Sequence, residues 1–164
     1  MGAGSPAGHE LAVLPGGAWR WGSGRRLRKG GVGMAGAAAG ESVTVAGRPE
    51  RVAVARAFAM AVLGRQHPAG ETVVLLVSEM VTNSVRHSAS GLPGRTVTVT
   101  VLSSSEVTRV QVTHMSDTTV LALWPGVSGM EGGRGLHLVD ALAARWGFEQ
   151  DGDHTATWFE LQHG

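Results

Sequence analysis

Three polar side chains at a spacing of four residues, Glu79, Asn83 and His87, stand within the run Ser78-Glu79-Met80-Val81-Thr82-Asn83-Ser84-Val85-Arg86-His87-Ser88. On a helix that spacing lines them along one side. A carboxylate one turn from a carboxamide oxygen offers the hard oxygen donors of a magnesium–phosphate site, with water filling the remaining shell. An exposed polar face meets the same spacing, so Glu-x-x-x-Asn alone decides nothing.

A second constellation is Glu131-Gly132-Gly133-Arg134-Gly135-Leu136-His137-Leu138-Val139. A glycine-rich run that opens a helix presents free backbone N–H groups and the positive end of the helix dipole to phosphates. It is not a dinucleotide fingerprint, since Leu138 occupies the third glycine position. Nor is it a P-loop, since the single lysine, Lys29, lies far upstream. A plain loop with a helix start accounts for it equally well. The seven histidines show no His-Glu-x-x-His spacing, and there is no Gly-x-Ser-x-Gly elbow. Without cysteine there is no disulfide, thiolate zinc site or cysteine nucleophile. Trp146 and Trp158 read as core or edge packing and not as a ligand-stacking pair.

The elements that position these groups follow from periodicity. Val43 and Val45 alternate with polar neighbours and predict a short strand. Pro49 opens a helix over Arg51–Leu63 with Val52, Ala55, Phe58, Ala59 and Val62 on one face, and Gly64 and Pro68 close it. A second helix is expected from about Ala69 to Ser88. Val73, Val77, Met80, Val81 and Val85 form its buried stripe, with Glu79, Thr82, Asn83 and Arg86 on the other side. The Thr/Val alternation of Thr96–Leu102 predicts a strand that turns at Ser103-Ser104-Ser105 and returns antiparallel as Val107–Thr113. Residues 116–133 read as loop, Arg134 to Ala144 as a third helix, and Arg145–Glu149 with Thr155–Leu161 as a closing hairpin around Asp151-Gly152. The order β-α-α-β-β-α-β-β predicts an α+β two-layer sandwich, with a mixed, mainly antiparallel sheet and helices on one face.

Length and composition bound the class. The chain's 164 residues suffice for one domain with a core. No apolar run reaches membrane-spanning length, and the arginines at 25, 26 and 28 follow the apolar stretch instead of preceding it, unlike a signal peptide. The pI near 8.6 suggests a nucleic-acid partner, but charge is unevenly placed. Residues 1–33 carry a net +4; since the whole chain carries +1, residues 34–164 carry −3. The globular part therefore has no general attraction for phosphate backbones, and neither a nucleic acid nor a membrane is expected as a partner. Residues 1–41 are rich in Gly and Ala without apolar period and are expected to be a disordered leader, with the folded domain over 42–164. Met34 is expected to be the true initiator, because Lys29-Gly30-Gly31 can be encoded by a purine-rich stretch resembling a ribosome-binding site. The absence of Ile and Tyr, with one Lys and one Asn, points to a very G+C-rich, bacterial genome.

Taken together and in order, the Glu-x-x-x-Asn helix, hairpin, glycine loop, Gly-x-Gly helix and closing hairpin resemble the GHKL (Bergerat-fold) ATPase superfamily. Leu75 to Ser88 is similar to its N box as seen in anti-sigma-factor serine/threonine kinases, and Gly133 to Gly147 resembles its second glycine box. Thr157-Trp158-Phe159-Glu160-Leu161 matches its last strand. The resemblance implies ATP and Mg2+ as cofactors, with Asn83 binding the metal through its side-chain oxygen. Glu79 would be the general base toward a partner serine or water. Gly133 and Gly135 would let backbone approach the phosphates, Arg134 would add positive charge, and Gly132, Leu136 and His87 complete the nucleotide-binding set. It further implies a cytoplasmic homodimer whose partner is a sigma factor, an anti-anti-sigma protein, or both. In one departure, His114 stands where the family places the Asp that reads the adenine amino group, with Asp117 as a substitute after a loop shift. A neutral His accepts one hydrogen bond but does not copy a carboxylate. Adenine should then be held weakly or with poor selectivity, and more weakly below about pH 6.5 as the ring charges. The alternative is a non-catalytic or weakly nucleotide-binding module that captures a regulatory partner, with weak or no kinase activity.

Overall fold

The computed structural model describes residues 12–13, 19–20, 25–28, 39–87, 94–115, 134–151 and 153–164. Strands β1 (Ala12–Val13) and β2 (Trp19–Arg20) form a two-stranded pair, and β3 (Arg25–Arg28) and β4 (Ala39–Ala46) follow. Helices α1 (Val52–Leu63) and α2 (Gly70–His87) come next, then β5 (Thr96–Ser103) and β6 (Val107–Met115). Helix α3 (Arg134–Leu142) and strands β7 (Arg145–Asp151) and β8 (His154–Gln162) complete the order. Among the described residues, six strands make one sheet in the order β3-β7-β8-β6-β5-β4. Every pairing within it is antiparallel, and the fold is an α+β two-layer sandwich.

Period two decides which face of the sheet is the core. Val97, Val99 and Val101 of β5 stand opposite His114, Val112 and Val110 of β6, and Val110 stands opposite Phe159 of β8. These valines and Phe159 are fully buried. They pack with Ala55 and Ala59 of α1, with Val73, Leu76, Val77, Met80 and Val81 of α2, and with Val139 of α3. The stripe on α2 is the one its periodicity predicts, widened by Leu76; Val85 is only half-buried. Helix α1 is preceded by a single 3-10 turn over Pro49–Arg51, where the fixed φ of Pro49 suits a helical start. It ends at Gly64, whose φ of 85° is a conformation that side chains resist, and whose N–H donates to the Met60 carbonyl at 2.8 Å.

Regular elements fall within residues 1–41, the expected leader: β1, β2, β3 and the first residues of β4. Arg25–Arg28 pairs with Gly147–Gln150 because the outer edge of β7 offers unpaired backbone groups, which an extended segment can satisfy whatever its side chains. Apolar periodicity carries no sign of such an edge strand. The expected loop over 116–133 lies outside the described residues. Among the described residues no helix is long and apolar enough to cross a membrane.

Candidate functional site

The positions of α2, α3 and β6 follow from contacts and topology. His67, three residues before α2, places its Nε2 3.4 Å from Ser103 Oγ, at the turn where β6 begins. From there α2 packs along β6. An 18-residue helix spans about 27 Å and a nine-residue strand about 30 Å, so the second half of α2 approaches the far end of β6. That half carries Glu79 and Asn83, and the far end of β6 carries His114. Helix α3 comes to the same end by a different route. Strand β7 runs parallel to β6, since both are antiparallel to β8, and it begins with Arg145 near the start of β6. Helix α3 leads into that beginning and packs on α2 and β7, so its N-terminus, with Arg134 and Gly135, points toward the His114 end. Groups distant in sequence thus share one end of the molecule.

Glu79 and Asn83 are half-buried, and within the described residues neither side chain has a hydrogen-bond or ion-pair partner. Ser84, the next residue after Asn83, is buried and donates its hydroxyl to the Met80 carbonyl at 3.0 Å. His87 is the last residue of α2, and Arg134, Gly135 and Leu136 form the first turn of α3. Asp117, Gly132 and Gly133 lie outside the described residues.

His114 is the penultimate residue of β6 and is 5% exposed. It follows Val110 and Val112 on the helix-facing side, and both ring nitrogens are buried without a hydrogen-bond partner among the described residues. Burial, and then the charge of nearby His154, lowers its pKa to about 4. The expectation that this ring charges below about pH 6.5 is therefore overturned: desolvation keeps it neutral well into the acid range.

Directly across the ladder from His114 stands Thr155 of β8, 1% exposed, its Oγ1 also buried and without a hydrogen-bond partner among the described residues. Sequence reasoning missed this residue. Its signal was a threonine at an inward position of a strand whose other inward residues include Phe159 and Leu161. Three orphaned polar atoms side by side in an otherwise apolar layer are what a polar planar ligand would satisfy.

The two tryptophans bear out their packing assignment. Trp158 is buried under the guanidinium of Arg109, 4.0 Å from its ring centre, and half-buried Trp146 donates its indole N–H to Asp140 Oδ1 at 2.9 Å.

Residues 45–161 match the family described as histidine kinase-like ATPase domain, a span covering most of the chain and containing every element from α1 to β7. An uncharacterized protein of Streptomyces coelicolor is 48% identical over 82 residues, which cover 49% of this chain and 75% of that protein. The chain belongs to the histidine kinase-like ATPase domain family, and with it to the ATP-binding, GHKL-type domains.

Proposed function

We propose that this member of the family is a cytoplasmic, Mg2+-dependent serine/threonine protein kinase of the anti-sigma-factor type, acting as a homodimer on a serine of an anti-anti-sigma partner. What supports the reading is that contacts and topology direct the Glu79–Asn83 face, the α3 N-terminus and the His114–Thr155 pair toward one end of the fold. Oxygen donors for a cation, a helix start for phosphates and unpartnered polar atoms for a base suit the three parts of a nucleoside triphosphate. The family relationship supports ATP as the nucleotide. The kinase subtype and partner rest on the likeness of Leu75–Ser88 and Gly133–Gly147 to anti-sigma kinases.

The donor set fits a magnesium ion, with the Asn83 carboxamide oxygen as its protein ligand. When bound, that ion supplies charge neutralisation on the phosphates. Glu79, half-buried and unpaired among the described residues, accepts the proton of the attacking serine hydroxyl. The serine oxygen forms its bond to the γ-phosphorus as the bond from that phosphorus to the β–γ bridging oxygen breaks. The products are phosphoserine, ADP and a protonated Glu79. The first turn of α3 orients the phosphates through backbone N–H groups.

His114 favours a second reading, a partner-capture module that binds nucleotide weakly. A neutral ring replaces the charged acceptor of the resembled kinases and gives a weaker hydrogen bond. Calorimetric titration with ATP and Mg2+, followed by phosphoryl transfer to a purified anti-anti-sigma protein, separates the two. Saturable, Mg2+-dependent binding with phosphoserine formation supports the kinase. Capture of the partner without transfer sinks it.

A further inference from the structure

The polarity of the buried pair bears on which base the site accepts. His114 and Thr155 are register partners on the helix-facing side, and Nδ1, Nε2 and Oγ1 are all buried without hydrogen-bond partners among the described residues. A neutral imidazole is one donor and one acceptor, and its two tautomers exchange which nitrogen does which. A hydroxyl donates once and accepts twice, and rotates to suit. A carboxylate can only accept. The pair therefore has no fixed polarity, although its position in the sheet is fixed.

Purines divide by that property. Adenine presents a donor at its 6-amino group and an acceptor at N1, whereas a 6-oxopurine presents an acceptor at O6 and a donor at N1–H. Against adenine, a bare ring nitrogen of His114 accepts from the amino group and Thr155 Oγ1 donates to N1. Against a 6-oxopurine both bonds reverse: the ring N–H donates to O6 and Oγ1 accepts from N1–H. No backbone movement is needed, only a tautomer exchange and a hydroxyl rotation. We propose that His114 and Thr155 form a base-reading pair of exchangeable polarity, so that the site takes 6-oxopurine nucleotides such as GTP as readily as ATP. The low pKa of His114 supports this, since a protonated ring would donate from both nitrogens and forfeit the adenine arrangement.

The inference rests on the nucleotide reading above, and equilibrium titrations of the full chain with Mg2+ and ATP, GTP, ITP or CTP separate the two. ITP isolates the 6-position because it lacks the 2-amino group of guanine. ATP, ITP and GTP should bind within about fivefold of one another, and CTP, whose ring is too short to reach the pair, at least about tenfold more weakly. His114→Asp, a fixed acceptor, should bind ITP and GTP at least about tenfold more weakly than ATP, because the carboxylate faces O6. His114→Asn keeps one donor and one acceptor without burying a charge, so it should preserve an ATP-to-ITP ratio near one even if His114→Asp fails to fold. Thr155→Val should weaken ATP and ITP by similar factors. Saturable ATP binding with ITP more than about twentyfold weaker in the wild type overturns the proposal and leaves the nucleotide reading standing. No binding of any purine nucleotide overturns both.

Discussion

His114 holds an ionisable ring where charge is expensive, and the sign of the resulting pH dependence can be worked out. Its pKa is about 4 in the fold against 6.5 when unfolded. Between those values the unfolded chain binds a proton that the folded chain refuses. The contribution is therefore intact above about pH 6.5 and is lost as pH falls toward 4, at roughly 1.4 kcal/mol per unit. Urea unfolding at pH 7 and pH 5 should show a loss of about 2 kcal/mol that is absent in His114→Gln. An equal loss in the variant would assign the acid sensitivity to other groups. Nucleotide binding should not change through this ring between pH 8 and pH 5. Glu79 and Asn83 are expected to separate kinetically. Asn83→Ala should abolish Mg2+-dependent binding, whereas Glu79→Ala should bind normally and lose phosphoryl transfer by about 100-fold or more, since a general base acts in the transition state. Titration and single-turnover transfer measure the two effects. Equal nucleotide affinity in wild type and Asn83→Ala would remove Asn83 from the site.

Helix α2 is the element that joins core to chemistry, and two adjacent leucines show how sharply its faces differ. Leu76 is fully buried against the sheet, while Leu75 is 41% exposed. Leu76→Ala removes buried methyl groups from a packed layer and should destabilise by about 2–5 kcal/mol; Leu75→Ala should stay within roughly 0.5 kcal/mol. Thermal unfolding of both variants checks the contrast, and similar melting temperatures would mean that α2 sits rotated from this description. The same helical period puts Glu79 and Asn83 away from that core, so the packing that fixes the helix also fixes where its polar face points. The period was readable because it needs only neighbours within two turns. Strand β3 was not readable, because its partner lies more than a hundred residues away and its pairing is made by backbone alone.

Across the whole molecule, the face of the sheet opposite the helices is held by a buried ion network. Glu160 of β8 accepts from Arg109 of β6 at 2.9 Å and meets Arg145 of β7 at 3.3 Å, so one carboxylate joins three adjacent strands. The Glu160 and Arg109 side chains are 3% and 5% exposed, and Arg109 also stacks on Trp158. Removing the anion leaves two guanidinium groups in a place where water does not easily reach them. Glu160→Gln should cost about 3–5 kcal/mol in urea unfolding, whereas Glu106→Gln, at an exposed turn, should change stability by less than roughly 0.5 kcal/mol. A neutral result for Glu160→Gln would show that the network contributes specificity and not stability. At the same end of the sheet, the helix-facing side is tied differently: His163 Nε2 lies 2.9 Å from Thr108 Oγ1, and its ring meets that of His67 edge-on at 4.5 Å. The pKa of His67 is lowered there by burial and then by His163.

Periodicity alone determined the three helices, the central hairpin, the closing hairpin and the class of the fold, because each depends on side chains a few residues apart. The Glu79–Asn83 face was visible for the same reason, and so was the glycine-rich run before α3. The tertiary structure decided what no local pattern holds. Antiparallel pairing of β6 with β8, about forty residues apart, set Thr155 opposite His114 and Glu160 opposite Arg109. Burial beneath the helices then lowered the pKa of His114 to about 4, although its ordinary value lies close to neutrality. Register and desolvation are properties of neighbours brought together by folding, and a residue's type and spacing do not contain them.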